Sequence, residues 1–436
     1  MASHHAIDRG QDAVDVLILS TYDSDGAGKF TSLIAETLKR LGHSVRIVCA
    51  QKRSGDRDTH GILDHRPLRK AAYRLVDEFD RRVFRLSPDY AFIHLRAIDD
   101  REVLASDVWP KACKLIICTF LDGMMNPSAL VALQRRVGWP VVVFYGVDMN
   151  FYTAGCHYAR ECEGYLQTCS SCPAVSRIGR PAVAKAFLTK QDCYQRLGKY
   201  VVVASSHEHH QQIRRSFLFG NSDIRRMLMG VDETLFGGFE EHRSEIRDKY
   251  GFSGSKVLLL RSSSEPRKGV DMFAAAARSL ESSHPDVLDS LTVVAIGDQY
   301  LKDRLRDCRV RLYSPGYIDS EQELARLYAA ADVFLNTSLA DGGPVMLAQA
   351  LMSGTPVITT DVGLARDLMR PPGNGCILRK PSPLDVVDAI VEFCGKSEAE
   401  RLEMRKHARV LALEQLGTAA YRNALGSLVG ELFGAD

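Results

Sequence analysis

Long apolar runs are missing from this chain, and so is an excess of charge of either sign. No run approaches the roughly 18–20 consecutive apolar residues that cross a bilayer, so we expect no membrane-spanning helix. The 56 Lys and Arg residues are balanced by 54 Asp and Glu residues, which gives a net charge of +2. Bulk charge therefore indicates neither nucleic acid nor a membrane as the partner.

The usual signs of secretion are missing as well. Residues 1–16 contain no apolar signal core. The 11 cysteines are odd in number and scattered over both halves, which is not the pattern of a disulfide framework. We therefore expect a cytoplasmic protein, with peripheral contact at the inner face of the membrane as the alternative.

The chain does contain two successive series of strands and helices. At 436 residues it is too long for one ordinary domain. Short β-branched apolar runs alternate with helical stretches, the pattern of strands buried on both faces of parallel sheets. The runs lie at Val14–Ser20, Val45–Cys49, Tyr90–Leu95, Lys114–Thr119, Val141–Tyr145, Tyr200–Ala204, Lys256–Leu260, Leu291–Ile296, Val310–Leu312, Val333–Leu335, Val357–Thr359 and Cys376–Leu378.

This organisation predicts an α/β fold with two doubly wound, Rossmann-like domains around a central cleft. We predict an N-terminal domain at 1–220 and a C-terminal domain at 221–410, with the linker near Gly220–Glu245. A last helical segment, 411–436, is predicted to pack back on the first domain. Ligands of such folds bind at the carboxyl ends of the strands.

The segment from Asp332 to Asp361 predicts an anion site. A buried strand ending at Asn336 is followed by a helix start at Gly342-Gly343-Pro344 and by a second strand, Pro356 to Thr360. Proline suits the first helical turn, and the glycines allow backbone amides to approach a ligand closely. The free N–H groups and the helix dipole at such a turn favour a phosphate-bearing ligand.

This segment resembles the donor-binding motif of family 4 of the retaining GT-B glycosyltransferases. That motif has two glutamates eight positions apart around a Gly-rich helix start, and Asp341 and Gln349 occupy those places here. The flanking stretches 328–338 and 353–363 match the family. The resemblance implies a GT-B fold, and a nucleotide-sugar donor such as a UDP- or GDP-sugar. It also implies retaining transfer of a hexose with no metal cofactor for catalysis.

The resemblance implies a role for each residue of the motif. Asp341 is expected to reach the donor sugar or its phosphates, together with the amides near Gly342 and Gly343. Gln349 is expected to contact the ribose hydroxyls, with less charge assistance than a carboxylate provides. The alternatives are a helix cap for Asp341 and a buried polar residue for Gln349.

A basic cluster follows the first strand of the second half. Arg261, Arg267 and Lys268 lie just after Lys256–Leu260, where similar enzymes grip the diphosphate with an Arg and a Lys. Fixed cations stabilise the charge that develops on a departing nucleoside diphosphate. The long spacing from Arg261 to Lys268 makes Arg267 the competing choice for the arginine. The alternative is a solvated loop.

The loop after the first strand is also rich in glycine. Gly26 and Gly28 would let the start of a helix approach a phosphate or the acceptor. The loop also fits a dinucleotide site, although Thr31 stands where the third glycine of that fingerprint belongs. We interpret Asp23 and Asp25 as turn and cap residues rather than metal ligands.

Residues 141–175 carry a second resemblance, to a subset of family 4 with a Gly-Cys-His-Tyr…Cys…Cys-x-x-Cys-Pro loop. Asp148 and the block 155–158 match that pattern, and the resemblance puts Asp148 on the acceptor side. The usual histidine before the aspartate is replaced by Val147. This change motivates the alternative of a catalytically silent relative that still binds a nucleotide-sugar.

Four cysteines lie close together in the loop 153–175. They are Cys156, Cys162, Cys169 and Cys172, and they end in a Cys-x-x-Cys pair. Four thiols at this spacing suit a structural zinc with tetrahedral coordination. Disulfides and free thiols are the alternatives. A zinc-stabilised interaction protein with a vestigial cleft is therefore another candidate function.

Two further stretches are predicted to be helical. Residues 66–86 form an amphipathic pattern whose apolar face holds Leu68, Ala72, Leu75, Phe79 and Val83. We expect this face to pack on its own domain, with an anionic membrane as the alternative partner. At 204–216, Ser205 and Glu208 have the spacing of a capping box, and His207, His209 and His210 are expected in a solvated helix start.

Together these patterns predict a glycosyltransferase of glycan, polysaccharide or glycoconjugate biosynthesis. The expected partners are a nucleotide-sugar donor and an acceptor that is a saccharide, a lipid-linked molecule or a small molecule, with no nucleic acid. A dinucleotide-dependent oxidoreductase is an alternative that rests on the Gly26–Gly28 loop alone.

Overall fold

The structure is a computed structural model that describes residues 13–64, 67–87, 89–90, 97–343 and 345–434. The chain forms two compact units. The first comprises the chain up to Ser205, His210–Met227 and the residues from Arg422 on. The second comprises Ser206–His209 and Leu228–Tyr421. We predicted a change of domain at residue 220 and a separate segment from 411, whereas the units change at Leu228 and Arg422.

The first unit contains a parallel sheet of seven strands in the order β3-β2-β1-β4-β5-β6-β7. The inner strand β1 has five consecutive residues, 16–20, that are fully buried, as a strand covered on both faces requires. The strands are β1 Ala13–Ser20, β2 Val45–Cys49, β3 Thr59–Gly61, β4 Ala112–Phe120, β5 Val141–Gly146, β6 Tyr200–Ala204 and β7 Ile224–Arg226.

Helices follow most strands of this sheet. They are α1 Asp25–Arg40, α2 Pro67–Phe84, α3 Asp100–Leu104, α4 Pro127–Arg136, α5 Arg180–Arg196 and α6 His207–Arg215. Between β5 and α5 the described chain has only short 3-10 turns, at Asn150–Tyr152 and Gly164–Leu166. The sheet order reverses between β1 and β4, and ligands of open α/β sheets bind at the carboxyl ends beside such a reversal.

The second unit contains a parallel sheet of six strands in the order β10-β9-β8-β11-β12-β13. Its strands are β8 Lys256–Ser262, β9 Leu291–Gly297, β10 Arg311–Gly316, β11 Val333–Asn336, β12 Val357–Thr359 and β13 Gly375–Ile377. Its helices are α7 Glu233–Gly237, α8 Arg243–Tyr250, α9 Val270–Ser283, α10 Pro285–Ser290, α11 Tyr300–Arg304, α12 Glu321–Ala330, α13 Val345–Met352, α14 Ala365–Leu368, α15 Pro383–Gly395 and α16 Glu398–Leu416. A closing helix, α17, spans Thr418–Phe433.

The predicted fold class, two Rossmann-like α/β domains, is confirmed. The predicted strands match observed ones within a few residues, except for one that lies almost wholly outside the described residues. Two observed strands were not predicted. Strands β3 and β7 were missed because each has three residues and lies at a sheet edge, so neither leaves a readable apolar run. The run predicted at Tyr90–Leu95 falls almost wholly on 91–96, outside the described residues.

Across the parts of the chain that the structure describes, no helix is both long and apolar enough to cross a membrane.

Gly375 offers a test of the second sheet. It pairs with Val357 across β12 and β13. Its φ of +132° is a backbone conformation that residues other than glycine rarely adopt. A Cβ at this position would lie 1.8 Å from the Val357 carbonyl oxygen. Gly375→Ala should therefore lower the free energy of unfolding by about 3 kcal/mol or more, because backbone strain and overpacking add.

Gly395→Ala is the matched control for urea unfolding, because a Cβ there meets nothing within 4 Å. It should leave stability unchanged or raise it by up to about 1 kcal/mol, since alanine is the better helix former. Equal unfolding midpoints for the two variants would contradict the close approach of β12 and β13.

Candidate active site

The basic turn after β8 is held against the segment that follows β11. Pro266–Lys268 forms a 3-10 turn that ends at Gly269, whose φ is +62°. A Cβ on Gly269 would lie 2.1 Å from the Thr337 carbonyl oxygen, so only glycine allows this approach. The Thr337 hydroxyl donates to the Lys268 carbonyl oxygen at 2.9 Å. Carboxyl ends of two neighbouring strands, far apart in sequence, thus form one site.

Lys268 and Asp341 form a buried ion pair in this site. The Lys268 Nζ and the Asp341 Oδ2 are 2.5 Å apart, and their side chains are 13% and 7% exposed. The Arg267 guanidinium lies 3.6 Å from the same carboxylate oxygen. The Gly343 N–H donates to the other oxygen of Asp341 at 3.3 Å. Asp341 is therefore neither a simple helix cap nor exposed to solvent.

The pKa shifts of this pair show an excess of positive charge. Burial lowers the pKa of Lys268, the charges of Arg267 and Arg261 lower it further, and Asp341 opposes them. Burial opposes ionisation of Asp341, but the charges of Lys268 and Arg267 outweigh burial and lower its pKa. Three cations are thus grouped here, with the carboxylates of Asp341 and Glu265 as partners of two of them, and such a group favours a further anion.

Arg261 completes the basic cluster. It lies near the end of β8, exposed to solvent, and close enough to Lys268 to affect its pKa. Arg267 also pairs with Glu265, an exposed residue, at 2.7 Å. The structure thus brings Arg261, Arg267 and Lys268 together with Asp341, and their exact contacts with a donor stay predictions.

The helix predicted at Gly342-Gly343-Pro344 begins slightly later. Helix α13 begins at Val345, Gly342 and Gly343 precede it, and Pro344 lies outside the described residues. Gln349 is buried on α13, where its side-chain oxygen is 3.5 Å from the Tyr328 hydroxyl. These surroundings agree with the alternative that Gln349 is a buried polar residue. A contact between Gln349 and a ribose stays a prediction.

The start of α6 contributes a carboxylate that the sequence did not suggest. At this helix start the Ser206 hydroxyl oxygen accepts a hydrogen bond from the His209 N–H at 3.1 Å. The Glu208 carboxylate accepts from the Gly363 N–H. Burial raises the pKa of Glu208, and the charge of Asp341 is among the lesser causes. Glu208 therefore lies near the basic cluster.

The capping box of Ser205 and Glu208 stays a prediction, and the Glu208 carboxylate also bonds to a loop distant in sequence. One expectation about this region was wrong. His209 is 3% exposed rather than solvated. Local spacing identified the helix but not the partners that tertiary structure provides.

The glycine loop of the first unit lies at the start of α1. A Cβ on Gly28 would lie 2.3 Å from the Asp23 backbone, so Gly28 is required by the turn itself, whereas Gly26 faces open space. The Asp23 carboxylate accepts hydrogen bonds from the N–H groups of Arg53 and Ser54, both at 2.8 Å. Asp23 therefore holds a turn, as we interpreted it.

A buried charge cluster occupies the carboxyl ends of β4 and β5. The His157 ring lies between two carboxylates: its Nδ1 is 2.5 Å from Asp148 and its Nε2 is 3.4 Å from Asp122. All three side chains are less than a tenth exposed. Burial alone would lower the pKa of His157, but the charges of Asp148 and Asp122 raise it from 6.5 to about 10. His157 is therefore a cation at neutral pH.

Lys190 joins this cluster from α5. Its Nζ donates to the carbonyl oxygens of Asn150 at 2.6 Å and Thr153 at 2.9 Å. Burial lowers its pKa to about 8, with the opposing charge of Asp122 second in size. The resemblance identified Asp148, whereas Asp122 and Lys190 come from segments that carry no motif.

The four clustered cysteines line one small cavity of about 20 Å³. The Cys162 sulfur accepts from the Gly164 N–H at 3.4 Å, and the Cys172 sulfur accepts from the N–H groups of Ala174 and Val175. A hydrogen bond from Cys156 lowers the pKa of the Cys172 thiol to about 7, against the opposing effect of burial. These thiols are not in disulfides.

The described residues contain no group of three or more His, Cys, Asp or Glu side chains arranged to hold a metal ion. The sulfurs of Cys156, Cys162, Cys169 and Cys172 therefore share a cavity but do not yet form a tetrahedral ligand set. Structural zinc stays a prediction.

The amphipathic helix α2 does not bury its apolar face. Leu75, Phe79 and Val83 are 73%, 62% and 40% exposed. The expectation that this face packs on its own domain was therefore wrong for these three residues. Amphipathic spacing shows that a helix has an apolar face, but not what covers it.

Comparison with known proteins identifies the fold of the chain and a sequence family that part of the second unit matches. The structure of sucrose-phosphate synthase from Thermosynechococcus elongatus matches with a TM-score of 0.66 at 16% identity, over 98% of this chain and 100% of that chain. The structure of HepE from Anabaena in complex with UDP-glucose matches with a TM-score of 0.63 at 13% identity, over 96% and 100%. Two parallel Rossmann-like sheets with such neighbours define a protein of the GT-B fold.

Residues 255–396 match the family described as "Glycosyl transferases group 1". The putative teichuronic acid biosynthesis glycosyltransferase TuaC of Bacillus subtilis (strain 168) is 29% identical over 374 residues, 79% of this chain and 80% of that protein. The phosphatidyl-myo-inositol mannosyltransferase of Mycolicibacterium smegmatis is 29% identical over 152 residues, 34% of this chain and 37% of that protein. By its fold the chain is a GT-B protein, and the sequence of its second unit is similar to that of group 1 glycosyltransferases.

His157 tests the buried cluster of the first unit. Replacing His157 with Asn removes the cation between two buried carboxylates, which should lower the free energy of unfolding by about 3–5 kcal/mol. His242→Asn is the control, because its side chain is 58% exposed and pairs with an exposed glutamate. The control should change stability by less than about 0.5 kcal/mol.

The stabilisation by His157 should also depend on pH. Its pKa in the folded protein, about 10, lies above the ordinary value of 6.5, so folding is coupled to proton uptake. The contribution is fully present below pH 6.5 and is lost as the pH rises through about 10. In urea unfolding, the difference between the natural protein and His157→Asn should therefore shrink between pH 6.5 and 9.5. A difference that stays constant over this range would show that His157 is not a buried cation.

Proposed function

We propose that the protein is a retaining glycosyltransferase that moves a hexose from a nucleoside-diphosphate sugar to an acceptor hydroxyl in glycan biosynthesis. One observation carries this proposal: Lys268 and Arg267 converge on the buried carboxylate of Asp341, and Arg261 lies close enough to act on Lys268. A group of fixed cations at the carboxyl ends of two strands suits the diphosphate of a donor.

The cationic cluster would act on the leaving group. Breaking the bond between the sugar and the diphosphate develops negative charge on the phosphate oxygens. Cations that are already positioned stabilise this charge without reorganisation at the moment of reaction, and a dry site strengthens the effect. Lys268 supports this role because its ammonium is buried, and Arg261 because its guanidinium is exposed beside it. In this proposal the fixed cations perform the task without a catalytic metal ion.

The configuration of the anomeric carbon is retained if the acceptor attacks and the diphosphate departs on the same face of the sugar. The acceptor oxygen would form its bond to the anomeric carbon as the bond to the diphosphate breaks. A donor phosphate oxygen would take the acceptor proton, so no protein nucleophile is required. The enzyme would contribute position and charge stabilisation. On this proposal Asp341, Gly342, Gly343 and Gln349 hold the donor, while Asp148, Gly26 and Gly28 serve the acceptor side.

Similar proteins support the substrate classes. HepE was solved with UDP-glucose, and the mycobacterial relative is named as a mannosyltransferase acting on phosphatidyl-myo-inositol. We propose a UDP- or GDP-sugar as donor and a saccharide or lipid-linked acceptor. The exposed apolar face of α2 supports peripheral contact with a membrane.

A catalytically silent relative is the second candidate. The histidine expected before Asp148 is absent, and Val147 cannot donate a hydrogen bond from its side chain. His157 does not replace it freely, because both of its ring nitrogens face carboxylates. This candidate predicts nucleotide binding without turnover.

Nucleotide binding is the first test of the proposed function. We expect UDP or GDP to raise the melting temperature of the full chain, because a ligand that binds only the folded state stabilises it by mass action. At a free ligand concentration of 100 times the dissociation constant, the stabilisation is about 2.7 kcal/mol. Lys268→Ala should weaken this binding at least tenfold, whereas Lys302→Ala, an exposed lysine on α11, should not change it.

The outcomes separate the candidates. A shift with UDP or GDP that Lys268→Ala abolishes, followed by transfer or slow hydrolysis of the matching sugar nucleotide, supports the enzyme. The same shift without turnover of any sugar nucleotide supports the silent relative. A shift with NAD alone would support an oxidoreductase, and no shift with any nucleotide would contradict the proposal.

We also propose that the four clustered cysteines hold a structural zinc ion. The backbone N–H groups that point at the sulfurs of Cys162 and Cys172 stabilise thiolates, which are the form that binds zinc. Binding would draw the sulfurs together from the walls of their shared cavity. Four protein ligands leave no open position, so this ion would support the loop rather than catalysis.

Metal content tests the zinc proposal. We expect about one zinc per chain by elemental analysis after purification without chelators, as four thiolate ligands imply. The double variant Cys162→Ser and Cys169→Ser should lose the zinc and melt at a lower temperature, because metal binding is coupled to the folded loop. Cys308→Ser, a partly buried thiol of the second unit, should retain the full content. A natural protein free of zinc that melts at the same temperature with and without added zinc would contradict this proposal.

A further inference from the structure

A cavity of about 370 Å³ lies in the first unit, at the carboxyl ends of β4 and β5. It is bounded by the chain after β4, by the 3-10 turn at Asn150–Tyr152 and by α4 and α5. This volume is within the usual range of ligand pockets, roughly 300–1,000 Å³. It also exceeds the ~150 Å³ of an apolar cavity that accepts benzene.

Most of the lining presents apolar surface. Leu121, Met125, Leu130, Phe151 and Ala186 are among the residues that form it. A cavity with walls of this kind gains little from a sugar, whose hydroxyls require hydrogen-bond partners.

The uncharged polar residues of the wall already have partners inside the protein. The Tyr194 hydroxyl donates to the Phe151 carbonyl oxygen at 3.1 Å, and the Thr189 hydroxyl donates to that of Lys185 at 2.9 Å. Asn126 donates to Asp100 at 2.9 Å. These bonds direct polar groups into the protein, so the cavity suits a hydrocarbon group.

Charged side chains also line this wall, with Asp122 and Lys190 on the side of the buried cluster and Lys185 at the surface. Lys185 is an exposed residue of α5 that also lines the cavity. An ammonium beside an apolar cavity suits an amphiphile with an anionic group attached to its hydrocarbon chain. A phosphate is such a group.

Helix α2 provides a route for an apolar chain. Its last residue, Phe84, lines the cavity. Three of its earlier residues, Leu75, Phe79 and Val83, expose their apolar side chains. The apolar surface of the helix is therefore continued by the lining of the cavity.

We infer that this cavity binds the hydrocarbon chain of a lipid-borne acceptor, with Lys185 contacting the phosphate attached to that chain. The inference rests on the proposed function, because it takes the ligand to be the acceptor of the transfer. Asp122 links the cavity to the proposed acceptor side, since it lines the cavity and faces the His157 ring that pairs with Asp148. The charge cluster therefore forms part of the cavity wall and includes the residue proposed to serve the acceptor.

Three probes test the inference on the full chain. They are farnesyl phosphate, farnesol and glucose 1-phosphate, each measured by displacement of a fluorescent apolar dye and by calorimetry below the micelle concentration. We expect farnesyl phosphate to bind at least tenfold more tightly than farnesol, and glucose 1-phosphate not to displace the dye. Equal binding of all three, or displacement by glucose 1-phosphate alone, would overturn the inference.

Two positions on α5 provide matched variants. Ala186→Trp fills the cavity and should weaken farnesyl phosphate binding at least tenfold. Leu188→Trp introduces the same side chain at a position that is 49% exposed and should leave binding unchanged. Lys185→Ala should remove the preference for farnesyl phosphate over farnesol. Unchanged affinity in Ala186→Trp would place the ligand elsewhere and overturn the inference.

The nucleotide measurement separates this inference from the proposed function. A retained response to UDP or GDP in Ala186→Trp shows that the second unit is folded and still binds its ligand, and a circular dichroism spectrum equal to that of the natural protein shows that the first unit is folded as well. If the natural protein binds farnesyl phosphate as described but no nucleotide, the cavity remains a lipid site and the transferase proposal fails. If it binds nucleotide but none of the apolar probes, the transferase proposal stands and this inference fails.

Discussion

The second unit depends on bringing Lys268 and Asp341 together at the ends of two adjacent strands. Their ion pair is largely removed from solvent, and two arginines lie beside it. Burying charges costs several kcal/mol for each ion, and a pair recovers this cost only with good geometry and additional hydrogen bonds. Asp341 has such a bond from the Gly343 N–H. The arginines beside the pair are the reason why we propose an anion site here rather than a structural ion pair alone.

The first unit also has a buried charge cluster, but one of a different composition. There a protonated histidine, His157, lies between Asp148 and Asp122, and Lys190 lies nearby with two carbonyl partners. Positive and negative groups are matched, so the cluster binds no further ion strongly and instead fixes the loop that follows β5. The cavity beside it is accordingly apolar. The two units therefore differ in chemistry, which is why we propose a phosphate ligand for one and a hydrocarbon ligand for the other.

Much of the fold was predictable because parallel strands covered on both faces leave continuous apolar runs, as at Val141–Gly146. The edge strands at Thr59–Gly61 and Ile224–Arg226 leave no such run. The basic turn and Asp341 were found in the sequence because glycine and charge recur there in a recognisable order. Glu208 was assigned to a local cap, although its partner, Gly363, lies far along the chain. Local spacing contains no information about such a partner.

The sequence by itself determined the class of fold, the basic turn, the residues at the start of α13 and the grouping of four cysteines, because each depends on neighbours along the chain. Only the tertiary structure decided that Lys268 pairs with Asp341, that His157 is held between Asp122 and Asp148, and that α2 leaves its apolar face exposed. These features depend on burial and on groups that are distant in sequence. Desolvation and Coulomb interactions are set by such neighbours in space.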